Sequence, residues 1–267
     1  MKKITVLVFL TFSLIACKEQ NKEVEVVDNS QINSEEITTT SYPEDIDKVF
    51  TAHGGISTWN KMNNLCYEMD GRGGKETHTI SLKDRKVKIE NKKWSIGHDG
   101  NNVWLLQNEK GAYKGNARFY HNLMFYFYAM PFVVGDEGIT YTSIEETELD
   151  GSMYNGVKIS YSAGVGDSPE DEYIIYYNQE TNEMEWLGYT VTFRSGEKSD
   201  DWHFIKYDEW ITKNGLKLPK KLTWYNVEDG KPTDERNDLV FDNIIVSETE
   251  LQDSMFKKPL DAEVVEK

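Results

Sequence analysis

Residues 119–134 read FYHNLMFYFYAMPFVV, with almost no polar side to give to water. Taken as a helix from about Asn116, stopped by Pro131 because proline has no N–H to continue the ladder, the segment is apolar or aromatic nearly all round. Such a helix must be buried on most sides or line a cavity. It is too short and too rich in tyrosine to span a bilayer, which takes about 20 apolar residues. The chain around it therefore has to wrap it. Two roles remain open: a core helix plugging a sheet, or one wall of a site for an apolar ligand. Met124 and Met130 suit either, because a flexible thioether fills gaps in cores and in adaptable binding surfaces.

A sheet that can do the wrapping is written on both sides of this segment. From about Leu65 the apolar period becomes two. Strands are expected at 77–82, 86–90, 93–98 and 102–107 before the helix, and at 140–148, 156–162, 172–177, 184–193, 203–212, 217–226 and 235–246 after it. Asp99-Gly100 is a strong two-residue hairpin signal, since both positions tolerate positive φ, and Asp150-Gly151, Asn214-Gly215 and Asp229-Gly230 punctuate the later strands. No helical pattern separates successive strands, so the sheet is an antiparallel meander and parallel βαβ units are absent. The expected fold class is mainly β with a few helices. Leu216, Leu218, Leu222 and Trp224 alternate with Lys217, Lys221 and Thr223, as expected for one apolar concave face and one solvated face. The run Tyr173-Ile174-Ile175-Tyr176-Tyr177 is apolar on both faces.

A first helix opens at Tyr42-Pro43-Glu44, with Glu44, Asp45 and Asp47 complementing the positive end of its dipole. Ile46, Val49, Phe50 and His53 fall on one side, and Gly54-Gly55 ends it. A short turn around Trp59 follows.

The first seventeen residues read as an address. Lys2 and Lys3 precede an apolar run from Ile4 to Ile15, of signal-peptide length. Leu14-Ile15-Ala16-Cys17 resembles the bacterial lipobox, which implies removal of residues 1–16 and acylation of Cys17. Several acyl chains anchor a protein stably where one does not. Residues 17–41 are rich in Glu, Lys, Asn, Ser and Thr with scattered valines, contain no aromatic residue, and are expected to form a flexible tether; residues 42–267 are expected to form one domain. With Cys17 acylated, Cys66 has no partner in the chain and reads as a small buried residue near the start of a strand.

Several motifs together carry a wider resemblance. Ala52-His53-Gly54-Gly55 with Trp59, the block from Tyr128 to Ile139, Gly215-Leu216-Lys217-Leu218-Pro219 and Phe256-Lys257-Lys258-Pro259 resemble a DUF6503-like family of Bacteroidetes lipoproteins. More distantly, the layout resembles the LolA/LolB lipoprotein carriers, which implies a half-barrel covered by helices and an apolar cavity that takes a lipid or acyl chain. Neither resemblance brings a catalytic motif.

Thirty Lys and Arg against 46 Asp and Glu give a net charge of −16, which repels phosphate backbones, so no nucleic acid partner is expected. The chain lacks a Gly-x-Ser-x-Gly elbow, a His-Glu-x-x-His pair, a Cys-x-x-Cys pair and a P-loop, and its five histidines have no metal spacing. The expectation is a non-enzyme with no cofactor and no metal. The protein is expected to be a lipoprotein of the outer membrane, anchored through Cys17 on the periplasmic face or at the cell surface, that binds an apolar ligand as carrier or sensor. Candidate lining residues are Met124, Phe127, Tyr128, Met130, Phe132, Trp94, Trp104, Trp186, Trp210 and Trp224. Two alternatives stand beside it: a carbohydrate-binding surface lipoprotein that stacks sugars on aromatic residues, and a structural envelope lipoprotein with no ligand. The direction in which the tryptophans point separates them.

Overall fold

In a computed structural model, residues 41–161, 168 and 170–266 are described. The expected signal peptide, Cys17 and the tether up to residue 40 lie outside the described residues, as do residues 162–167, with the last residue of the strand expected at 156–162, and residue 169.

Two helices open the domain: α1 (Glu44–Ala52), with Pro43 at its cap, and α2 (Ile56–Trp59). The first meander follows: β1 (Asn64–Gly71), β2 (Gly74–Ser81), β3 (Val87–Asn91), β4 (Trp94–His98) and β5 (Val103–Gln107). The central helix α3 (Ala117–Tyr128) leads through a 3-10 turn (Phe132–Gly135) to the far end of the sheet. The second meander is β6 (Ile139–Leu149), β7 (Ser152–Tyr161), β8 (Glu172–Asn178), β9 (Met184–Tyr189), β10 (His203–Lys213), β11 (Leu216–Glu228) and β12 (Lys231–Ser247), and the short β13 (Glu263–Val264) comes last. All of them join one antiparallel sheet in the order β13-β5-β4-β3-β2-β1-β12-β11-β10-β9-β8-β7-β6. The meanders meet where β1 pairs with β12, Cys66 opposite Ile245. The sheet is open, with β13 and β6 at its ends, and the expected fold class holds.

Local chemistry explains most of the connections. Asp150-Gly151, Asn214-Gly215 and Asp229-Gly230 are two-residue turns with positive φ at both positions, between +48° and +81°. That is the type I′ geometry whose twist matches the flanking strands. The turn at Asp99-Gly100 is longer than its dipeptide predicts. His98 pairs with Val103, leaving a four-residue loop in which the Asp99 carboxylate accepts the amides of Asn101 and Asn102. The strand expected at 184–193 ends at Tyr189, because the backbone from Thr190 is drawn toward Asp171 by bonds described below.

The sheet bends around α3, no residue of which is exposed. Asn116 caps the helix by accepting the Phe119 amide at 3.0 Å. Tyr128 stacks on Tyr67 of β1 at 4.4 Å and meets Phe241 of β12, while Phe127 meets Tyr189 of β9 and Trp224 of β11. In β7 to β9 the odd-numbered positions Val157, Ile159, Tyr173, Ile175, Leu187 and Tyr189 face this core. The even-numbered positions carry apolar side chains as well, as the run 173–177 led one to expect for β8. Tyr154, Tyr176, Trp186 and Phe204 form a second buried cluster on the outer face. These are neighbours on adjacent strands, Tyr176 opposite Trp186 and Phe204 opposite Gly188, so their rings bury one another across the outer face.

Cys66 is half-buried rather than buried. Its Sγ lies 3.8 Å from Thr79 Oγ1, and burial raises its pKa, so the thiol is poorly activated.

Candidate functional site

The motif segments named above come together as a clasp on the helices. His53, at the end of α1, accepts the Met184 amide at Nε2 (3.0 Å), its carbonyl accepts the Lys217 amide (2.8 Å), and its Nδ1 lies 3.4 Å from the Lys217 carbonyl. Gly54, at φ +105°, sits so close to the Gly215 carbonyl that a Cβ would lie 2.1 Å from it. Phe132 stacks on Trp59 at 4.9 Å, and Phe256 covers Trp104, whose indole donates to the Phe256 carbonyl. These residues hold α1, the 3-10 turn and the C-terminal segment against the sheet.

A second polar group orients α3. The Tyr120 hydroxyl donates to Glu76 Oε2 at 2.7 Å, and the same oxygen lies 3.2 Å from His78 Nε2. His78 Nδ1 is 3.3 Å from the Tyr67 hydroxyl. Glu76 and His78 are 2% and 1% exposed. Burial lowers the His78 pKa, against the pull of Glu76 upward. A neutral imidazole fits the chain: Nε2–H donates to Glu76 and Nδ1 accepts from Tyr67. Neither Glu76 nor Tyr67 was singled out from sequence. The signal was there, because Glu76 and His78 fall in phase with the buried Ile80.

Between α3 and the strands β7 to β9 the packing opens. A cavity of about 160 Å³ is lined by Phe119, Leu123, Tyr126 and Phe127 of the helix, by Tyr161, Tyr173 and Tyr189 of the strands, and by Val191 and Phe193 beyond β9. Arg118, His121, Asn122, Ser168, Asp171 and Thr190 complete its wall. Asp171 Oδ1 accepts both the amide (2.6 Å) and the hydroxyl (2.7 Å) of Thr192, and Thr190 exchanges bonds with Glu172. Phe193 packs on Phe119 at 5.0 Å. These contacts fold residues 190–193 along the cavity's edge, where the sequence pattern had continued the strand. Burial raises the Asp171 pKa, and the two Thr192 bonds oppose that rise.

Of the expected lining residues, Phe127 is in the cavity wall, and Trp224 stands behind it, donating to the Tyr189 hydroxyl at 3.2 Å. Met124, Tyr128, Met130 and Phe132 are packed into the core, and Trp94 lies against Tyr113. Trp210 packs on His53 and Tyr207. Trp104 and Trp186 belong to the outer face, in strands where a one-residue phase decides the side. Of the seven tryptophans, Trp59, Trp94, Trp104, Trp186 and Trp224 are buried and Trp202 and Trp210 half-buried.

The model of a family of unknown function (DUF6503) matches residues 2–236. The chain belongs to the DUF6503 family. No curated protein matches this family member in sequence. Among solved structures, a LolA superfamily protein from Nitrosomonas europaea is 9% identical, with a TM-score of 0.45, over 76% of this chain and 96% of that one. A domain from Vibrio parahaemolyticus described as an outer membrane lipoprotein-sorting protein is 6% identical, with a TM-score of 0.36, over 75% of this chain and 93% of that one.

Proposed function

We propose that the domain binds an apolar molecule in the cavity beside α3, as a carrier or sensor tethered to the outer membrane through acylated Cys17. The observation that carries this reading is the cavity itself. Elsewhere α3 is closely packed against both halves of the sheet, yet on the β7 to β9 side about 160 Å³ remains, bordered mainly by aromatic and aliphatic side chains. Apolar cavities of roughly 150 Å³ stay dry and take up benzene-sized molecules. The volume therefore suits one ring or the end of an acyl chain, with the remainder of a longer ligand leaving through the mouth. The tether and the acidic surface, net charge −16, would hold the domain off anionic headgroups while keeping it within reach of lipid.

The test is extraction of the Cys17→Ser chain into organic solvent followed by mass spectrometry, with displacement of the neutral fluorophore N-phenyl-1-naphthylamine as the solution assay. A copurifying lipid or saturable, displaceable fluorophore binding is expected. Absence of both would overturn the reading.

A further inference from the structure

The cavity wall is apolar in area but holds phenol hydroxyls with protons to give, among them those of Tyr161 and Tyr189. Tyr161 Oη is buried and has no hydrogen-bond partner among the described residues. Tyr189 Oη already accepts from Trp224 Nε1, so its own proton has no acceptor among the described residues. Burial, followed by neighbouring phenols and carboxylates, raises the Tyr161 pKa, and burial raises that of Tyr189, so both are neutral donors. A buried donor without an acceptor is unfavourable, and a ligand oxygen supplied at that place relieves it.

The charge around these hydroxyls selects which oxygen. Ser160 pairs with Glu172, so Tyr161 and Asp171 are the next residues on the two strands, and both line the cavity. Burial raises the Asp171 pKa above the usual carboxylate value, and the bonds from Thr192 oppose that rise and favour the charged form that a carboxyl takes at pH 8. A ligand carboxylate would have to sit beside it in a partly dry site, where like charges repel strongly. Arg118, the cation in the wall, lies nine residues from Phe127 along α3, about 13 Å of helix axis away, and already has an interaction of its own.

We propose that the cavity takes an uncharged apolar molecule carrying a carbonyl oxygen, an ester or a ketone, that accepts the Tyr161 and Tyr189 hydroxyls, and that it discriminates against a free carboxylate. This rests on the cavity being a ligand site, as proposed above. The test compares methyl octanoate, octanoate and octane as displacers of N-phenyl-1-naphthylamine at pH 8, on the Cys17→Ser chain with and without Tyr161→Phe. The ester is expected to bind about tenfold tighter than the alkane, the increment of one good hydrogen bond, and tighter still than octanoate. Tyr161→Phe should remove most of the ester's advantage and leave octane unchanged, which also shows that the variant is folded. Octanoate binding as well as the ester, or an ester advantage untouched by Tyr161→Phe, would overturn the carbonyl assignment while leaving the cavity a ligand site. Failure of all three to displace a bound fluorophore would overturn the assignment, and failure of the fluorophore itself to bind would overturn both readings.

Discussion

His53 Nε2 accepts the Met184 amide at 3.0 Å, and this bond requires an unprotonated nitrogen in a fully buried ring. Desolvation is the main reason that the His53 pKa is lowered to about 4. The unfolded chain, with a histidine near 6.5, binds a proton that the folded chain excludes between those two values. Stability from this group is therefore complete above about pH 6.5 and is lost as pH falls toward 4, by about 3 kcal/mol in all. Urea midpoints measured from pH 7.5 to 4.5 should fall along that window. His53→Gln, whose side-chain oxygen can accept the same amide, should flatten the fall.

Gly54 should tolerate no side chain. Its φ of +105° and the 2.1 Å approach of a Cβ to the Gly215 carbonyl put backbone against backbone, which cannot swing aside. Gly54→Ala is expected to cost about 2–4 kcal/mol in chemical unfolding. Gly151→Ala, with φ +75° but nothing within 4 Å, should cost only the conformational strain and so clearly less.

Much of this architecture was legible in the sequence because its signals are local. Asn116 and Pro131 bracketed the central helix, and the Asp-Gly and Asn-Gly pairs placed three hairpins. What was not legible depends on phase and on distance. Trp186 and Leu187 differ by one residue and by one face of the sheet, and with apolar side chains in both phases the pattern could not say which faced α3. The departure of the chain at Thr190 depends on Asp171, a partner from another strand, and the strand periodicity continued past it. The motif residues of the resemblance prove to be clasp residues, with His53 meeting Lys217 across the fold, whereas the cavity is built from Tyr161, Tyr173 and Tyr189, which no motif marked.

The Tyr120 hydroxyl ties the middle of the molecule to β2 through Glu76. Tyr120→Phe leaves a buried carboxylate with one donor fewer, and it should lower stability by about 1–3 kcal/mol in thermal or urea unfolding. Because the same bond fixes the rotation of α3, fluorophore binding in the cavity should weaken as well. Lys75→Ala removes an exposed pair with Glu68 and should change stability by less than about 1 kcal/mol.

Filling the cavity should abolish ligand binding without unfolding the domain. Leu123 is half-buried and lines the wall, so Leu123→Trp places an indole in the roughly 160 Å³ beside it. Titration of N-phenyl-1-naphthylamine into the Cys17→Ser chain with and without this substitution, with the urea midpoint recorded for each, gives the measurement. The account predicts that binding is lost while the midpoint is kept or raised. A variant that keeps its midpoint and binds the fluorophore as tightly as the unsubstituted chain would contradict it.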